Sequence, residues 1–419
     1  MKFAESIFLG VFFLVACSES SPPKNPCTAT TETAALTSAP TGSNVMSVTV
    51  NGSNCPQEAG VQYPNEICAA VTLCEPGTST CQTIDGILVD TGSYGLRVFK
   101  SLITISLINE TSAGATIADC VRYGDGSSQW GPVAVADVKL GGLVASSVPI
   151  HLVESTFATA PSACTSSQSF PDTSPSQAGF NGILGLGLFQ HDCGTPCTTI
   201  TANGQYYKCT GSSCSASKVA LSLQVQNPAP LFSTDNNGLL VKLPSVTADC
   251  GIASASGAVV FGIGTQSNNS GSGLTALVTD SGGDFDTTFG SFSSTAIPGF
   301  IDSGSSNLFI PPPSGMEDCG AYGSSWEGVF CPSSTQTLTA VNAGISGSPT
   351  NTVSFSVGNG YFLNTSGNYV FFNAGALSGD NVSSSAFMDY GLPYFLGKTV
   401  AVGFDSQTSS LGTGPYFAY

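Results

Sequence analysis

Charge is scarce in this chain. Only 9% of its 419 residues are Asp, Glu, Lys or Arg, against about 25% in ordinary soluble proteins. Bases are scarcest: 10 Lys and Arg face 27 acids, for a net charge of −17. No basic run exists to meet phosphates, which argues against a nucleic-acid partner. Histidine is limited to His151 and His191, which weakens both a Ser-His-Asp mechanism and a histidine-ligated metal. Long helical periodicities are missing too. Glycine clusters such as Gly262-Ile263-Gly264 open no helix, so a nucleotide-binding reading is poor and no cofactor is implied.

What is present is turn-forming and β-forming. There are 49 Gly and 24 Pro, and Ser and Thr are abundant. Apolar runs are short and rich in Val, Ile and Phe, as at 133–140, 258–262 and 400–404, and turn residues bound them. This pattern predicts an all-β protein, and the length predicts two lobes. The acidity reads first as a means of solubility. It also suits an acid medium, because a chain with few bases gains little positive charge as its carboxylates protonate.

The N-terminus reads as an export signal: Lys2, an apolar run over 7–16, then Leu14-Val15-Ala16-Cys17. The run is too short for an ordinary membrane span. Leu-Val-Ala-Cys resembles the lipobox of bacterial lipoproteins. That resemblance implies a signal peptide over 1–17, lipidation of Cys17 and a lipid anchor to the membrane. Ser18 behind the cysteine resembles the pattern of lipoproteins sent to the outer membrane, facing periplasm or surface. Residues 18–44, rich in Ser, Thr, Pro and Ala, read as a flexible tether. A first lobe is expected over 45–240 and a second over 241–419, in a monomer. With Cys17 set aside, 14 of the 15 cysteines remain, an even number that reads as disulfides of open connectivity rather than a metal site.

One phrase occurs twice, 212 positions apart: Gly86-Ile87-Leu88-Val89-Asp90-Thr91-Gly92-Ser93 returns as Gly299-Phe300-Ile301-Asp302-Ser303-Gly304-Ser305. Each copy is an apolar strand ending in an acid, then a small hydroxyl residue, then glycine. A charged Asp at the end of a buried strand is costly without partners. Two such acids suggest carboxyls that face one another. Glycine lets its backbone amide approach a carboxylate. Thr91 and Ser303 could lock the two loops together, and Ser93 and Ser305 could donate to the outer carboxylate oxygens. Carboxylates sharing a site cannot both ionise easily, so one becomes a base and the other an acid, an effect for which aspartic proteases are the standard example.

These loops resemble the two active-site loops of pepsin-like aspartic proteases, and the likeness extends along most of residues 80–405. Tyr123-Gly124-Asp125-Gly126-Ser127, with Trp130-Gly131-Pro132-Val133 behind it, is similar to the family's flap hairpin, whose Tyr closes over substrate. Phe180-Asn181-Gly182-Ile183-Leu184-Gly185 resembles the apolar-apolar-Gly segment threaded behind the first acid loop. The whole also looks like a group of uncharacterised bacterial lipoproteins carrying this pattern. The resemblance implies a bilobal fold with a cleft between two β-barrel-like lobes. It implies an endopeptidase whose Asp90 and Asp302 activate a water against a peptide or protein substrate. The alternative is a non-catalytic envelope protein of the same fold that binds peptide or glycan; a two-carboxylate glycoside hydrolase ranks below both.

The sequence departs from the family's pattern in places. Arg97 stands where a Trp is usual, and could lower the carboxylate pKa values of the dyad, bind an acidic substrate or turn to solvent. Asp389-Tyr390-Gly391 replaces two aliphatics and Gly. Trp130 reads as a packing residue, His151 as a satisfied residue at a strand end, and His191 as lacking a visible partner.

Overall fold

The computed structural model describes residues 24–55, 63–165, 170–378 and 386–419. The export signal, Cys17 and residues 18–23 lie outside this range. The protein is all-β. Its helices are single turns of three to five residues, such as Pro175–Ala178 and Leu392–Phe395.

The first acid closes the strand Cys81–Asp90. The outer half of this strand alternates exposed and buried, and its end, 86–90, is buried throughout. The change follows from its neighbours. From Ile87 onward it is flanked by Ile67–Cys74, running antiparallel, and by Gly182–Leu186, running parallel. A strand covered on both sides needs apolar residues on both faces, which Ile87-Leu88-Val89 supply. The chain then turns and returns as Tyr94–Phe99, and Gly182–Leu186 lies between the outgoing and returning strands, with Leu184 opposite both Val89 and Leu96.

The second acid repeats this arrangement. Ile297–Ile301 leads to Asp302, the chain returns as Leu308–Ile310, and Met388–Tyr390 threads between them. Tyr390 lies opposite both Ile301 and Leu308. The registers make Leu184 and Tyr390 equivalent, and so also Ile183 and Asp389. Where the first unit has an aliphatic, the second has a carboxyl.

The lobes are less separate than a division at 240/241 suggests. That boundary falls inside the strand Gly238–Lys242. This strand, with Ser254–Phe261, Thr399–Gly403 and Tyr416–Ala418, belongs to the same hydrogen-bonded network as the first acid strand. The second acid strand sits in its own seven-stranded sheet. One apolar core joins them, running from Val48, Val89 and Leu184 to Ile301, Tyr390 and Phe417.

The later part of the expected tether is packed rather than free. Cys27 is bonded to Cys250, and Thr33–Ala35 pairs in parallel with Ser254–Phe261. Asn25 Nδ2 donates to the Phe362 carbonyl at 2.9 Å, and the Thr30 amide donates to Asn368 Oδ1 at 2.8 Å. Composition hid this, because a short polar strand adding to a sheet edge needs only backbone groups and a cysteine.

All fourteen cysteines after Cys17 are paired. Besides Cys27–Cys250 the bonds are Cys55–Cys68, Cys74–Cys81, Cys120–Cys164, Cys193–Cys197, Cys209–Cys214 and Cys319–Cys331. Seven disulfides indicate an oxidising, exported environment. No helix among the described residues is long and apolar enough to cross a membrane.

Glu66 is an anomaly in this frame. It is fully buried beside the Cys55–Cys68 bond, and neither carboxyl oxygen has a hydrogen-bond partner among the described residues. Burial raises its pKa from 4.5 to about 8. The folded state therefore holds a proton that the unfolded chain releases above 4.5. Its contribution to stability is complete below that pH and is lost as the pH rises to about 8. Urea denaturation should give an unfolding free energy that declines over this interval. Glu66→Gln should flatten the decline, and an unchanged slope in that variant would refute the assignment.

Candidate active site

The two acid loops meet, and a reciprocal latch joins them. Thr91 Oγ1 donates to the Ile301 carbonyl at 3.0 Å and accepts from the Ser303 amide at 2.9 Å. Ser303 Oγ donates to the Val89 carbonyl at 2.7 Å and accepts from the Thr91 amide at 3.1 Å. Each hydroxyl thus bonds one carbonyl and one amide of the opposite loop. Both side chains are buried, so these backbone groups have no water to turn to.

The latch brings the carboxyls of Asp90 and Asp302 together, and a Cβ built on Gly304 would meet both, at 2.8 Å from Asp90 Oδ1 and 3.1 Å from Asp302 Oδ1. Glycine is required beside them. A Cβ on Gly92 would overlap the Asp302 carboxyl, and one on Gly304 would lie 2.8 Å from Asp90 Cγ. Each glycine is the floor on which the opposite acid rests. The inner oxygens accept backbone amides, Gly92 N–H to Asp90 Oδ1 at 2.8 Å and Gly304 N–H to Asp302 Oδ1 at 2.7 Å. Ser93 Oγ bonds Asp90 Oδ2, and Ser305 Oγ lies 3.0 Å from Asp302 Oδ2. The structure places Thr91, Gly92, Ser93, Ser303, Gly304 and Ser305 in the two loops around the acids.

Burial pushes the Asp302 carboxyl well above the usual range, and the charges of Asp90 and Asp389 push it further. One proton held between two facing carboxyls is the chemical consequence.

The hairpin of Ala115–Arg122 and Ser127–Leu140 carries Tyr123, Gly124, Asp125 and Gly126 at its turn. Gly126 has φ +89°, a left-handed conformation suited to glycine, and its amide donates to the Tyr123 carbonyl at 3.1 Å. Asp125 Oδ1 accepts from the Ser127 amide at 2.8 Å, while Gly124 is exposed. The Tyr123 hydroxyl donates to Gln129 Oε1 at 3.3 Å, and Gln129 Nε2 donates to Asp172 at 3.3 Å. Burial keeps the Tyr123 hydroxyl neutral, against the pull of Arg97 and with a further push from the charge of Asp90. Trp130 packs inside, its indole N–H on the Ala158 carbonyl at 3.2 Å and its ring edge-on to Tyr207.

Arg97 takes neither of its expected roles. It is buried and bonds its own acids, Asp192 at 2.8 Å and Asp119 at 3.3 Å, with the Tyr94 carbonyl at 2.9 Å. Asp192 comes from the cysteine-rich loop, 95 residues away in sequence, and no local signal marks it. His151 lies within the strand Leu143–Val153 rather than at its end. Among the described residues its ring nitrogens make no hydrogen bond, and Nδ1 lies 3.8 Å from Asp119. Burial and the Arg97 charge push its pKa far down, so it is neutral. His191 pairs through its backbone with Gln226.

Two residues of the site were not assigned to it from the sequence. Asn65, buried at φ +59°, donates to the Ser306 and Phe371 carbonyls at 2.8 and 3.0 Å and accepts from the Phe371 amide, clamping the second acid loop to the first unit. Asp389 marked a break in pattern, but nothing in the sequence showed that its carboxyl reaches the acids. It shares Ser305 with Asp302, at 2.6 Å from the Ser305 hydroxyl.

Thr91→Ala should leave the Ser303 amide and the Ile301 carbonyl buried and unpaired, at a cost of about 3 kcal/mol. Thr91→Ser, which keeps the hydroxyl, should lose much less. Urea midpoints of the two variants test this, and equal midpoints would remove the latch from the stability of the fold.

No curated protein matches the chain. Among solved structures it is similar to the aspartic proteinase from Irpex lacteus, with 15% identity over 89% of this chain and 96% of that one and a TM-score of 0.47. A family model described as Protein of unknown function (DUF3443) matches residues 40–419. That span holds both acid loops, the hairpin and the third acid, and the chain belongs to the DUF3443 family.

Proposed function

We propose that the protein is an aspartic-type endopeptidase that hydrolyses peptide bonds between its two acid-bearing units. The observation that carries this reading is the pair of carboxyls, each held by a backbone amide and a serine hydroxyl, over glycines that leave room for them.

The reaction is a water addition. Asp302, whose carboxyl burial and neighbouring acids push well above the usual range, holds the shared proton. Asp90 takes a proton from water as the oxygen attacks the substrate carbonyl carbon, and Asp302 gives its proton to the carbonyl oxygen. The tetrahedral diol then collapses: one of its hydroxyls returns a proton to Asp302, the C–N bond breaks, and the proton on Asp90 passes to the leaving nitrogen. Acid and amine are released, and the dyad recovers one shared proton. Tyr123, at the hairpin turn, would cover a peptide lying along the acids. The same reading places the work outside the reducing cytoplasm, on a chain held to the membrane by lipid on Cys17.

The test is digestion of a mixed peptide library by the purified protein from acid to neutral pH. Asp90→Asn and Asp302→Asn should each reduce cleavage by at least about a thousandfold. A statine-type mimic of the tetrahedral state should inhibit the wild type. Undiminished cleavage by Asp302→Asn would refute the dyad mechanism. A folded, inert wild type that still binds peptide or glycan would favour a binding role instead.

A further inference from the structure

Ser305 touches two carboxyls at once. Its Oγ lies 3.0 Å from Asp302 Oδ2 and 2.6 Å from Asp389 Oδ2. A serine hydroxyl carries one hydrogen and can donate to only one of them. If both acids were ionised, one of these oxygen pairs would face each other with no proton between them, which is repulsive in a buried site. One carboxyl must therefore carry a proton and donate it to Ser305.

The surroundings decide which. On the dyad reading the proton of Asp302 faces Asp90, and its Oδ1 also accepts the Gly304 amide at 2.7 Å, so its outer oxygen has no proton to give Ser305. Asp389 has nothing comparable: it is buried, and among the described residues its Oδ1 is without a partner. The 2.6 Å contact also suits a carboxylic O–H on a hydroxyl oxygen. We infer that Asp389 is a protonated positioning acid, which donates to Ser305 and so fixes the Ser305 hydrogen on Asp302 Oδ2. This rests on the dyad reading above. With the outer oxygen of Asp302 accepting a bond, the shared proton is left to the inner side, where the acids face one another.

The device exists in one unit only. At the equivalent place in the first unit stands Ile183, so the Ser93 that bonds Asp90 has no acid behind it at that place. The asymmetry gives a nearly symmetrical pair of loops two different acids. It also sets an upper pH limit. When Asp389 ionises, it draws the Ser305 hydrogen to itself, Asp302 loses a donor, and a third negative charge stands beside the dyad. The titratable groups facing Asp389 are Asp302 and Asp90, from the two acid loops. Its neighbours on the flanking strands, Phe300 and Phe309, do not titrate. Burial holds the Asp389 carboxyl well above the ordinary range, with Ser305 opposing and Asp90 adding to the rise.

The experiment compares pH profiles of library cleavage for the wild type, Asp389→Asn and Asp389→Leu. The amide of Asp389→Asn can donate to Ser305 but cannot ionise. Its alkaline limb should move to higher pH, with kcat in acid down about twofold. Asp389→Leu has no donor and should lose about tenfold in kcat with little change in KM. An alkaline limb left in place by Asp389→Asn would overturn the inference. Ser305→Ala provides a check that leaves Asp389 intact: Ser305→Ala and Ser305→Ala/Asp389→Leu should lose the same factor, and multiplying losses would overturn it. If the wild type cleaves nothing, the endopeptidase reading fails by itself, and the proton is then sought by infrared spectroscopy at neutral pH. A carboxylic-acid carbonyl band present in the wild type and absent from Asp389→Asn supports the inference. Identical spectra refute it.

Discussion

Two carboxyls that repel are held face to face, and the rest of the molecule answers to that constraint. The force that opposes the repulsion is local and mutual. Thr91 and Ser303 each tie down the backbone on the far side of the interface, through a carbonyl and an amide. Such a latch works only if both hydroxyls are buried and both strands arrive in register. The strands arrive in register because each is flanked by a parallel neighbour threaded behind it, through Leu184 in one unit and Tyr390 in the other. Repulsion that would separate two exposed acids becomes, inside this frame, a preference for one shared proton.

Much of this was legible in the sequence because it is repeated there. An apolar strand, an acid, a hydroxyl and a glycine, given twice, named eight of the residues that meet at the site. The alternation and turn composition gave the all-β class, and the even cysteine number gave the disulfides. What was hidden arrives from far away in the chain. Asp192 reaches Arg97 from a cysteine-rich loop, and Asn65 clamps the second acid loop from a turn in the first unit. No short window of sequence holds either pair. The packed segment from Asn25 to Ala35 was hidden differently, since polar residues that join a sheet through backbone alone look the same as residues that join nothing.

The third acid shows what a broken pattern can mean. An aspartate in an aliphatic slot reads as poorer packing. In the fold, the slot opens onto Ser305, and the polar atom has a purpose that an aliphatic lacks. The scarcity of charge sharpens this. Among the described residues the only ion pairs are those of Arg97 with Asp119 and Asp192, His151 being neutral. None of these pairs includes the acids at the centre, whose partners among the described residues are backbone amides and serine hydroxyls. A protein built this way ties its central chemistry to the acidity of its surroundings.

The bond between Cys27 and Cys250 also bears on mechanics. Its partners are 223 residues apart, so the chain ahead of residue 24 is fastened covalently to a part of the molecule remote in sequence. A pull on that leading segment reaches Cys250 through the sulfurs, and the strand Thr33–Ala35 spreads it along Ser254–Phe261. The strands that carry the acids lie outside this covalent path. A molecule moored by its leading end would therefore take the strain at this staple, while the latch between the two loops stayed unloaded.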